Sequence, residues 1–91
     1  MPRLFKIGSY IIFFWSNENN EPIHIHIAQK PSENATKIWL TRGGGYLIAN
    51  NGSKIPNHEL NDLLELLPTY YLYICSQWKK YFNLDDIKFY C

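Results

Sequence analysis

The sequence predicts an α+β fold: an antiparallel sheet of three to five strands, built by an N-terminal meander and packed by one long C-terminal helix kinked near Pro68. Three observations carry this. Residues 1–55 are rich in β-branched and aromatic side chains and are punctuated by Gly, Asn and Pro. Residues 56–82 contain no glycine and repeat their apolar side chains at a helical period. The chain has 91 residues, 46% of them hydrophobic and 16% aromatic. No linker, repeat or low-complexity tract divides it. One domain spanning 1–91 follows, with a small core to which aromatic rings bring the most area per residue. The remaining residues, 83–91, form a tail that matches neither an edge strand nor a helix by pattern.

The strands follow in order. Leu4 to Ile7 opens the meander before Gly8-Ser9. Tyr10 to Trp15 is apolar on both faces, which places it inside the sheet rather than at an edge. A polar loop, Ser16 to Pro22, leads to Ile23–Gln29. Side chains alternate across a strand, so Ile23, Ile25 and Ile27 share one face and His24 and His26 the other. Thr36 to Thr41 is the next strand. Arg42-Gly43-Gly44-Gly45 reads as a tight connection, and Tyr46 to Ala49 as the fourth long strand. Asn50-Asn51-Gly52-Ser53 turns the chain toward the helix.

Leu60, Leu63, Leu64, Leu67, Tyr71, Ile74, Cys75, Trp78 and Phe82 form one helical stripe. Glu59, Asp62 and Glu65 near its start and Lys79-Lys80 near its end suit the helix macrodipole. Pro56 fits the first turn. Pro68 removes a hydrogen bond from the interior, yet the stripe keeps its phase across it, hence one kinked helix rather than two.

The formal net charge of +1 supplies no basic field for nucleic acid and no acidic tail. No signal-peptide pattern and no apolar run of membrane-spanning length is present, which leads to the expectation of a cytoplasmic chain outside the membrane. Cys75 and Cys91 lack a C-x-x-C arrangement and are expected as free thiols. The glycine run is not a phosphate loop, because it lacks the G-K-[ST] ending and precedes a strand.

His24-x-His26 is the sharpest polar feature. On a strand, i and i+2 lie about 6.5–7 Å apart on one face. Imidazoles so placed can act as acid and base, or share a metal. Glu21, His58, Glu59 and Asp62 are the available completing ligands, but only folding brings the last three near, so neither a metal nor another cofactor is expected. Pro22 biases Glu21 to an extended conformation, from which its carboxylate can orient an imidazole. Lys37 and Arg42 are candidate anion-binding cations if they share the histidine face. With the isoleucines against the helix, the histidines are expected to face solvent or a partner. Alanine at each is then expected to change stability by roughly 0.5 kcal/mol.

Glu21-Pro22-Ile23-His24-Ile25-His26 resembles the centre of the short bacterial proteins of the domain of unknown function 4160 family. The opening Met-Pro, the strand Gly8 to Trp15, Ala35 to Leu40, Asn50-Asn51-Gly52 and Trp78 to Phe82 resemble further parts of the pattern. Pro68 and Gly43 to Gly45 depart from it. The resemblance implies a small bacterial protein of two-gene modules resembling toxin–antitoxin pairs, and supplies no catalytic residue. The leading expectation is therefore a non-enzymatic protein that works through a protein partner, or as a homo-oligomer, with Glu21, His24 and His26 as binding residues. A rival is a small metal-independent nuclease or phosphoesterase with His24 and His26 as acid and base and Arg42 or Lys37 holding the anion. A β-ribbon nucleic-acid binder is a third reading, disfavoured by the near-neutral charge.

Overall fold

A computed structural model describes residues 2–18 and 20–91. Five strands, β1 (Arg3–Ile7), β2 (Tyr10–Phe13), β3 (His24–Ala28), β4 (Thr36–Leu40) and β5 (Tyr46–Asn50), form one antiparallel sheet whose spatial order is the order of the sequence. A helical run follows: α1 (Asn57–Leu66), a single 3-10 turn (Leu67–Tyr70) and α2 (Tyr71–Phe82). No helix among the described residues is long and apolar enough to cross a membrane.

Each connection has a local cause. Ile7 pairs with Tyr10, so Gly8-Ser9 is a two-residue hairpin, and Gly8 takes φ 60° as the first residue of such a turn. β2 ends two residues earlier than its apolar run, and Phe14 N–H is instead donated to the Pro2 carbonyl. Pro68 sits at the start of the 3-10 turn, which absorbs the missing donor and lets α2 continue. Asn83, at φ 54°, ends α2 with a left-handed cap.

The alternation along β3 sorts the sheet into two faces. Ile23, Ile25 and Ile27 join Ile12, Ile38 and Leu40 under Leu60, Leu63, Leu67, Ile74 and Trp78 of the helical run. On the opposite face, register aligns Phe13, His26 and Lys37 in one row and His24, Trp39 and Leu47 in the next. That face is not open. A second apolar cluster, Ile11, Phe13, Ala28 and Ala35 with Trp15 packed on it, covers part of it.

The tail forms no strand but is fixed. Ile23 N–H donates to the Lys88 carbonyl and Arg42 N–H to the Cys91 carbonyl, each at 2.9 Å. Tyr90 stacks on Trp39 with ring centroids 4.8 Å apart. Both cysteines are free.

The turn before α1 is tied to the sheet. Thr36 Oγ1 donates to Asn51 Oδ1, Ser53 Oγ donates to the Ile27 carbonyl, and Asn51 Nδ2 donates to the Ile55 carbonyl. Gly52 passes so near the Asn34 carbonyl that an added Cβ would lie 1.7 Å from its oxygen.

Two substitutions test this packing. Trp78→Ala should cost about 3–5 kcal/mol by emptying a buried ring site, read as a lower denaturant midpoint. Gly52→Ala should cost about 1–3 kcal/mol through the forced backbone shift, and an unchanged midpoint would contradict the close approach to Asn34.

Candidate functional site

The β2–β3 loop folds back on itself before β3 begins. Glu18 N–H donates to the Trp15 carbonyl, and Trp15 N–H donates to Glu18 Oε1 at 2.8 Å. This local closure swings the Glu18 carboxylate over β3. There His26 Nε2 lies 3.1 and 3.0 Å from its two oxygens, and His24 Nε2 lies 3.0 Å from Oε1. The His26 contacts have hydrogen-bond geometry. The His24 contact does not, so His24 Nε2 is buried beside a carboxylate oxygen without a directed hydrogen bond, and His26 Nδ1 is buried without a partner. His24 Nδ1 sits 2.9 Å from the Pro22 carbonyl, which can only accept, so this nitrogen carries the hydrogen.

Aromatic rings wall the cluster. Trp39 and Trp78 meet His24 edge-on at 5.5 and 5.4 Å, and Phe13 stacks on His26 at 5.5 Å. His24 is 0% exposed and His26 5%. Burial pushes the Glu18 carboxyl up, but the two imidazoles and the Trp15 amide outweigh it and hold the group well below the usual carboxylate range.

The structure corrects the expected exposure of the histidines. His26 packs with Phe13 and Trp15 on the face opposite the isoleucines, whereas His24, at the start of β3, also meets Trp78 of the helical run, and the β2–β3 loop and aromatic rings enclose both. Glu21 is not their carboxylate. It pairs with Lys37, whose ammonium also lies over the Trp39 ring at 4.3 Å. Lys37 does share the histidine face, directly across from His26. Arg42 is held elsewhere, over Phe89 at 5.1 Å. His58 is exposed on α1. Glu18 is the residue sequence reasoning missed. Its one signal was position in a loop short enough to return a side chain onto β3.

A family model described as a domain of unknown function, DUF4160, matches residues 9–79. The chain belongs to the DUF4160 family. No curated protein and no solved structure matches it. The stretch matched by the DUF4160 model holds Glu18, His24 and His26 together with the Trp39 and Trp78 walls.

Burial reverses the expected cost of losing the imidazoles. His24→Ala should destabilise by at least about 1–3 kcal/mol, because it empties a fully buried ring site and removes the bond to the Pro22 carbonyl; urea titration checks this. Glu18 also sets a pH response. Its folded pKa lies below the unfolded value, so its contribution is full above about pH 4.5 and is lost as pH falls below that. In chelator-containing buffer, Glu18→Gln should flatten the loss of stability on acidification, measured by urea titrations at successive pH values.

Proposed function

We propose that this protein is a non-enzymatic binding module that works through a protein partner, as one half of a toxin–antitoxin-like or regulatory pair. The observation that carries the reading is the asymmetry of the two sheet edges. β1 presents the exposed cations Arg3 and Lys6, the kind of charge that keeps other strands away from an edge. β5 pairs with β4 on one side only and holds no charged residue and no proline. Its register with β4 is regular from Tyr46 to Ile48, and Leu47 and Ile48 are 44% and 41% exposed. An edge so left offers backbone donors and acceptors plus two apolar anchors to an added strand.

The occupant is an extended segment of a different protein. A stable dimer buries about 1,200–2,000 Å² in total, which two paired five-residue strands do not approach by themselves. A partner segment can run past the ends of β5 and gain the rest. The acid–base reading has less support, because the imidazoles are roofed, Lys37 is paired with Glu21, and Arg42 is held by the tail.

The test is co-expression with the product of the neighbouring gene, followed by light scattering of the purified material. A complex with wild type that is lost in Ile48→Lys, with the far-ultraviolet circular dichroism spectrum of that variant unchanged, supports strand addition. A complex equally stable in Ile48→Lys moves the interface elsewhere. A dimer of this chain alone makes the occupant a second copy. A monomer that ignores the neighbour's product removes the partner reading.

A further inference from the structure

We propose that Glu18, His24 and His26 form a binding site for a divalent transition-metal cation of the zinc type. One donor atom from each residue lies within 4.8 Å of the others. Both glutamate–imidazole separations are 3.0 Å. Two ligands bound to zinc at about 2.0–2.1 Å in a tetrahedron sit about 3.3 Å apart, so the donors need little movement to close on an ion.

The hydrogen bond from His24 Nδ1 to the Pro22 carbonyl is the independent observation. With that hydrogen committed to the Pro22 carbonyl, Nε2 is the ring nitrogen left to ligate, and it faces Glu18 Oε1 at 3.0 Å. A metal cation there takes the place that a proton otherwise holds between the two atoms. A backbone carbonyl on the far nitrogen is also the usual support for a metal-bound imidazole, fixing its tautomer and ring orientation. The nitrogen in question belongs to a side chain with 0% exposure and makes no hydrogen bond. The aromatic walls fix the rings without competing for the ion.

Two imidazoles and one carboxylate select borderline cations over Mg²⁺ or Ca²⁺, which demand oxygen ligands. Glu18 and His26 also line a surface groove with Glu33, Asn34 and Lys37, so the set is reached from solvent and a fourth ligand can be water.

The test uses the full chain, stripped with chelator and titrated with Zn²⁺ and with Co²⁺. One equivalent should bind, with a rise in melting temperature and a Co²⁺ visible spectrum typical of nitrogen and oxygen ligation. Mg²⁺ should leave the melting temperature unchanged. Glu18→Gln keeps the size of the side chain and should weaken Zn²⁺ binding by about 100-fold or more, the upper end of what losing even an outer partner costs. His58→Ala, at an exposed histidine outside the cluster, should bind as wild type. Imidazole ¹⁵N shifts of the wild type give a readout that needs no variant: Nε2 of His24 should move to the metal-bound range on adding Zn²⁺. No uptake by the stripped protein, with ¹⁵N shifts of an imidazolium at His24, overturns the proposal in favour of a plain imidazolium–carboxylate pair. Binding that survives Glu18→Gln undiminished, or is lost in His58→Ala, overturns it as well.

Discussion

A carboxylate held 3.0 Å from two imidazoles, inside a wall of aromatic rings, is the constraint around which this molecule is arranged. Charge in a dry site is costly unless it is paired and hydrogen-bonded. The surroundings meet that demand from four directions. The Trp15 amide and the closed loop supply Glu18, the Pro22 carbonyl fixes one ring, β3 sets the spacing of the two histidines, and Trp39, Trp78 and Phe13 wall the rings. Pro22 serves twice. It holds Glu21 away, toward Lys37, and presents its own carbonyl to His24.

This arrangement explains how a small sheet with helices on one side only buries two histidines beyond its aliphatic core. A face bearing Phe13, Trp39 and two histidines would be an awkward surface if left bare. The loop between β2 and β3 and the tail cover it with few residues, using one ion-paired cluster and one ring stack. The cost is that the cover is polar at its centre, so its integrity depends on geometry more than on buried area. The helix side behaves differently. It is held by branched aliphatic side chains and Trp78, where the hydrophobic effect is non-directional.

Much of the fold was legible because its signals are local. The Ile23, Ile25, Ile27 alternation assigns faces correctly, and the unbroken stripe across Pro68 identifies a single helical run with an irregularity in place. What covers a face is not a local property. The alternation of His24 and His26 says which way they point, but not what meets them there: Trp15 at the end of its apolar run, Glu18 from the polar loop, and Trp39 with Tyr90 stacked on it. Glu21 looked the better partner because it is nearer in sequence and next to a stiffening proline. The register of β3 with β4 gives it Lys37 instead, while an i, i+3 closure gives the histidines Glu18. The tail has too few residues in any one pattern to show that it docks through backbone hydrogen bonds and a single stacked ring.

A sheet whose spatial order is its sequence order can be assembled as the chain is made, each strand adding to the one before it. Contacts between neighbours in sequence close small loops, which favours rapid formation. The polar cluster does not share this early start. Its loop and both imidazoles precede β4, but Trp78 belongs to α2, and Tyr90, which covers Trp39, lies in the tail beyond it. Full enclosure of the histidines therefore needs α2 and the tail as well as the strands, so the cluster reports on completion of the whole fold and not of the meander alone.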